Sequence, residues 1–154
     1  MKKKIPESVL VLIHDNYLNV LLLERADREG FWQSVTGSLD HPSEDLFTAA
    51  KRELLEETGI ETKDENWLNW NLSRKFKIFS HWRDRYDKDV EFNTEHIFSV
   101  CIEKQINVTL SPREHKRFDW LPYVSAAEKC FSWTNSLAIK ELPERLKINK
   151  DYLK

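Results

Sequence analysis

The sequence predicts an α/β domain in which a mixed β-sheet is sandwiched between layers of α-helix (α/β/α). Three observations carry this expectation. Two β-rich apolar runs, Ser8 to Ile13 and Asn19 to Glu24, open the chain; one uninterrupted helical stretch, Glu44 to Thr58, follows; and further β-like segments precede two helical patterns near the end. Strands, helix, strands and helices in that order give a sheet covered on both faces. Leu21, Leu22 and Leu23 in succession fit a strand buried on both sides.

In chain order, His14-Asp15-Asn16-Tyr17 joins the first two runs as a hairpin, and Arg25 ends the second. Ala26 to Gly30 reads as a loop, and Phe31 to Gly37 as a short strand and turn. The helical stretch holds good helix formers and no Pro or Gly, with Ser43 placed as its N-cap and Gly59 as the left-handed residue that closes it. Trp67 to Leu72 and Arg74 to Trp82 are predicted strands, followed by the charged turn Arg83 to Asp89. Asn93 to Ile102, Ile106 to Leu110 and Phe118 to Leu121 are three more. Val124 to Phe131 and Thr134 to Leu146 are helical, with Pro143 expected to end or kink the second.

The 154 residues are the length of one domain, 1–154, that needs no disulfide staples. A net charge of −2 gives no footprint for nucleic acid. No apolar run reaches the eighteen or so residues of a membrane span, and Val9 to Ile13 is too short for an export signal. Cys101 and Cys130, without CxxC spacing, are expected to be free thiols of a reducing cytoplasm. The expected assembly is a monomer or weak homo-oligomer. Six Trp and eight Phe beside three Gly supply aromatic stock for a core and for a pocket that takes a flat ring.

The chemistry concentrates on the long helix. Glu53, Glu56 and Glu57 stand at i, i+3 and i+4, so three carboxylates share one patch of surface. Like charges at this spacing destabilise a bare helix, and a hard divalent cation between them would relieve it. Arg52 is placed to neutralise part of the cluster. On spacing alone, a solvated acidic helix face remains the other reading.

The wider pattern is more specific. Glu44, seven residues, Arg52-Glu53, Leu54, one residue, Glu56-Glu57, one residue, Gly59-Ile60 resembles the Nudix box, the signature of hydrolases that cleave nucleoside diphosphates linked to another moiety. Six residues separate Gly37 from Glu44 where the usual box has five. The extra residue lies ahead of the helix and leaves the register of its glutamates intact.

Segments outside the box narrow the resemblance. Phe31-Trp32-Gln33-Ser34-Val35-Thr36-Gly37-Ser38, Phe79-Ser80-His81 with Arg83, Arg85 and Tyr86, Asn93-Thr94-Glu95, Glu114-His115, Trp120-Leu121 and Ser132-Trp133 with Asn135 look like one subgroup. That subgroup is the bacterial dihydroneopterin triphosphate pyrophosphatases of folate biosynthesis. The resemblance implies that Glu53, Glu57 and Glu114 are metal ligands, with Glu56 in or beside their shell and Mg²⁺, or Mn²⁺ in its place, as the cofactor. It places substrate contacts on Lys4, Arg25, Thr36, Phe76, Lys77, Ile78, Phe79 and Ser132, with Trp32 and Trp133 as further stacking partners. Arg52 would orient the glutamates, and Glu114 or Glu56 would be the general base, with Glu114 favoured. The partner implied is a small-molecule triphosphate. Two other readings stay open: a pyrophosphatase of ordinary or oxidised nucleoside triphosphates such as dATP, and a catalytically silent binding module.

Overall fold

The computed structural model describes residues 2–153 apart from 104 and 107. Its centre is β1 (Glu7–His14), whose residues from Val9 to Ile13 are fully buried because both faces of the strand are covered. β1 turns into β2 (Asn19–Arg25) through a tight loop tied by the Asp15 carboxylate, which accepts from the backbone N–H of Tyr17 and Asn19. Leu21, Leu22 and Leu23 are buried completely, as their continuous apolar run requires.

The next strands are short. β3 (Trp32–Gln33) pairs with β2, and β4 (Val35–Ser38) crosses to pair antiparallel with β1. α1 (Leu46–Thr58) follows, then the long β5 (Trp67–Lys77), β6 (Phe92–Cys101) and β7 (His115–Pro122). β6 lies parallel to β1 and antiparallel to β5, while β7 lies antiparallel to β2, so the sheet is mixed. α2 (Tyr123–Lys129) and α3 (Trp133–Leu153) complete the order.

Strand alternation divides the core in two. Val9, Val11, Leu21 and Phe98 pack beneath Ala49, Ala50 and Leu54 of α1. Leu10, Leu12, Leu22 and Ile97 face Ala126 and Ala127 of α2 and Ala138, Ile139 and Leu142 of α3 on the other side. The sheet is thus sandwiched between helices, as the element order predicts.

Four local expectations are corrected. Asp45, not Ser43, caps α1: its carboxylate accepts from the Thr48 N–H, while Ser43 sits in a turn with its hydroxyl against His41. β5 is one strand with an irregularity between Asn69 and Ser73, where Asn71 adopts φ 52°, and Trp82 falls in the short helical turn Ser80–Arg85. Of the predicted strand Ile106 to Leu110, Asn107 lies outside the described residues. The others form no ladder, although Val108 and Leu110 pack on the core. Pro143 does not end α3, which continues past it to Leu153. The buried row Ala138, Ile139 and Leu142 just before it holds the helix on the sheet. Gly59 does take the left-handed conformation (φ 71°) and donates its N–H to the Leu55 carbonyl.

Candidate active site

β4 and α1 build the acidic end of the site together. Gly37 of β4 lies directly beneath Glu53 of α1, and a Cβ at position 37 would overlap the Glu53 carboxyl. Glycine is required there to let the carboxylate sit on the strand. The longer loop ahead of α1 does not disturb this. Pro42 and Ser43 turn back on themselves, with the Glu44 N–H donating to His41, so the extra residue is absorbed before the helix begins.

Arg52 organises the carboxylates around it. Its guanidinium reaches Glu44 at 3.0 Å, Asp40 at 3.1 Å, Glu53 at 3.0 Å and Glu56 at 3.3 Å, and it also donates to the Ser38 carbonyl. These contacts raise the Arg52 pKa above its ordinary value, led by the Glu44 hydrogen bond. Glu53 moves the other way: burial pushes its carboxyl up to about 7 against the pull of Arg52. A buried carboxylate held this way lacks a sufficient counter-charge.

Glu57, Glu114 and His115 form a second group, with ligand atoms within 4.8 Å of one another. Glu57 is buried and Glu114 exposed. His115 is fully engaged. Its Nδ1 is 2.8 Å from Glu57, its Nε2 is 2.9 Å from the Gln33 amide nitrogen, and the Gln33 oxygen accepts from Arg25 at 3.3 Å. With the amide nitrogen as donor, Nε2 is the acceptor and the imidazole is the neutral tautomer that donates from Nδ1 to Glu57. His115 therefore orients Glu57, and a chain of contacts runs from Arg25 to that carboxylate. Glu53 stands outside the group, on Gly37. All three predicted ligands offer carboxylate oxygen, the donor type that suits a hard divalent cation.

From the acidic end a cavity of about 880 Å³ runs across the sheet. Lys4, Arg25 and Arg85 bring positive charge to it. Partial desolvation of the otherwise exposed Lys4 side chain by the surrounding cavity walls, and then the two arginines, lower its pKa, while Arg25 and Arg85 both pair with Asp27, at 2.8 and 3.1 Å. Arg25 also lies 4.2 Å above the Trp82 ring. Thr36 donates to the Val9 carbonyl, and Ser132 meets Thr134 at 2.9 Å. Phe76, Lys77, Ile78 and Phe79 form one wall, where Phe79 stacks parallel to Trp82 with centroids 5.5 Å apart and faces Phe131 edge-on.

The predicted substrate contacts thus meet in one cavity, with Glu53, Glu56, Glu114 and Arg52 in its lining and Glu57 just behind Glu114. Trp32 does not join them. Its ring stacks with Lys129 on a different surface, whereas Trp133 does line the cavity. Sequence reasoning gave no separate role to Gln33, His115, Asn93 or Glu95. The signal for His115 is its adjacency to Glu114 in the Glu-His pair. Asn93 and Glu95 were visible only as part of the Asn-Thr-Glu segment.

A mixed sheet between helices, with a glutamate-rich helix packed on a glycine strand, defines a class: the phosphohydrolases built around the Nudix box. A NUDIX domain matches residues 4–142, and the chain belongs to that family. It is 40% identical over 149 residues to dihydroneopterin triphosphate diphosphatase of Escherichia coli K12, covering 92% of this chain and 96% of that one. Identity to the Haemophilus influenzae protein of the same name is 37% over 144 residues, with 92% and 89% covered. The solved structure of the E. coli dihydroneopterin triphosphate pyrophosphohydrolase superposes with a TM-score of 0.85 at 36% identity, over 92% of this chain and 97% of that one. Nudix hydrolases generally use divalent metal ions. Among the described residues, no helix is long and apolar enough to cross a membrane.

Proposed function

We propose that this Nudix hydrolase cleaves dihydroneopterin triphosphate to dihydroneopterin monophosphate and pyrophosphate, a step of folate biosynthesis, in the cytoplasm and as a single domain that acts as a monomer or weak homo-oligomer. The observation that carries this reading is the continuity of one cavity from the carboxylates, past Lys4, Arg25 and Arg85, to the aromatic wall of Phe76, Phe79 and Trp82. It has a place for a highly charged tail and a place for a flat ring. The similarity to two proteins that bear the pterin enzyme's name supports the same substrate, and Cys101 and Cys130, neither of them in a disulfide, suit a reducing compartment.

Glu53, Glu57 and Glu114 would hold Mg²⁺, with Mn²⁺ as its substitute, which supplies Lewis acidity and a lowered pKa for a coordinated water. The chain's own residues do the rest. His115 and Arg52 fix the carboxylates of Glu57 and Glu53. Arg25 and Lys4 neutralise phosphate oxygens. Glu114, exposed at the cavity edge beside Glu57, is the group we favour to take the proton of the attacking water, ahead of Glu56 on the Arg52 side.

The test is pyrophosphate release with Mg²⁺, measured side by side on dihydroneopterin triphosphate and dATP. A pterin preference of about a hundredfold, equivalent to about 2.7 kcal/mol, is expected. A dATP preference would make the protein a nucleotide pyrophosphatase. Glu57→Gln should remove most of the rate while leaving the melting transition in place, and Glu114→Ala should depress kcat more than KM.

A further inference from the structure

The far end of the cavity holds polar atoms that the fold leaves without partners. Ser38, Ser8, Glu95 and Arg74 form one row across β4, β1, β6 and β5, on the face that carries Leu10 and Ile97. One step along, Asn93 pairs with Phe76. Asn93 and Glu95 are 2% and 4% exposed, and both line the cavity. The Asn93 amide nitrogen donates to Ser8 at 2.7 Å, which leaves its Oδ1 as an acceptor with no donor. The Glu95 carboxylate receives the Thr134 hydroxyl, yet Oε1 has no partner.

Two buried acceptors without donors, on residues that line a cavity, are costly unless a ligand brings donors to them. They line the same cavity as Glu53 but on the opposite face of the sheet from α1, so a substrate with its phosphates at the acidic end would extend its ring toward them. A 2-amino-4-oxo heterocycle presents a ring N–H and an exocyclic amino group side by side, which are two donors along one edge. Adenine's corresponding edge offers one amino donor beside a ring nitrogen that only accepts.

We infer that Glu95, with Asn93 beside it, is the specificity-determining group of the cavity and accepts the two N–H donors of a 2-amino-4-oxo ring. The inference rests on the pterin reading above and deepens it by naming the edge that is read. Burial holds the Glu95 carboxyl up at about 7, and Arg74, whose Nη1 is also without a partner, supplies the neighbouring positive charge that favours its ionised form.

The experiment compares wild type with Glu95→Gln on dihydroneopterin triphosphate, dGTP and dATP, all with Mg²⁺. Gln is nearly isosteric and turns one of the two oxygens into a donor. kcat/KM is expected to fall about a hundredfold on the two substrates that share an adjacent ring N–H and 2-amino donor edge and much less on dATP, so the selectivity ratio collapses. Glu95→Asp, which keeps the charge but withdraws it by one methylene, should show the same selective loss and guards against a folding defect in either variant. Quenching of tryptophan fluorescence by neopterin, which carries no phosphate, should weaken in parallel. An equal loss on all three substrates, or no loss on the pterin, would overturn the assignment. If wild type neglects the pterin while Glu95→Gln still loses dGTP selectively, the pterin reading falls and the role of Glu95 stands.

Discussion

At the scale of single residues, Gly37 and Glu53 depend on each other. The carboxyl occupies the space a side chain at 37 would take, so Gly37→Ala must push it aside. The expected result is a loss of about 1–3 kcal/mol in stability, as for other overpacked positions, and a fall in kcat larger than the stability change explains. Thermal melting and steady-state kinetics on the same preparation would check both; unchanged kinetics would mean that Glu53 is not held in place by the strand. The box residues were legible because their meaning lies in local spacing: three glutamates on one helix face can be read without a fold. Gln33, His115 and Glu95 could not be read that way. The Gln33–His115 contact spans 82 residues and the His115–Glu57 contact 58, so only the folded sheet brings them together. A buried acceptor without a donor leaves no trace in sequence at all.

At the scale of elements, α1 carries Glu53 and Glu57, so its N-terminus matters to the site. Asp45→Ala removes the side chain that satisfies the Thr48 N–H and should cost about 1 kcal/mol, read as a lower midpoint in chemical denaturation. Ser43→Ala should cost far less; the reverse order would return the cap to Ser43. Sequence placed the cap two residues early because Ser43, Glu44 and Asp45 offer three oxygen-bearing side chains in a row. The choice among them is made by Arg52, which takes Glu44 away, and by the Pro42-Ser43 turn. The strand and helix cores were legible from continuous apolar runs. The ends were not. Ile78 still donates to Glu91, but Phe79 leaves the sheet and Trp82 turns into the cavity, since a ladder continues only where a neighbouring strand does. The same rule explains the described residues of the segment Ile106 to Leu110, whose composition favours a strand but which gained no ladder partner.

At the scale of the whole molecule, the buried carboxyl of Glu95 shapes stability against pH. Its ordinary value is 4.5, and in the folded protein it rises to about 7. Between those values the folded chain keeps a proton that the unfolded chain has released, so this group's contribution declines as pH rises through the window. The slope is at most about 1.4 kcal/mol per pH unit. Differential scanning calorimetry of the metal-free protein should therefore show Glu95→Gln gaining on wild type from about pH 4.5 to about pH 7. Parallel curves would place the Glu95 carboxyl in a more hydrated setting than its burial indicates. The layered architecture itself was legible from element order, because a sheet with apolar residues on both faces leaves few alternatives.

The parallel pairing of β1 with β6 has a kinetic side as well. Ser8 and Asn93 touch across 85 residues of chain, and Ser34 is clasped by Asn135 across 101. Contacts of such separation form late, after a large loss of loop entropy, and sheets that depend on them fold slowly. During synthesis the box helix emerges early, yet it faces a cavity with no floor until β6 arrives and no far wall until α3 does. Catalytic competence is thus among the last properties this chain acquires, and a nascent fragment that stops short of Asn135 carries the signature of the family without a pocket in which to use it.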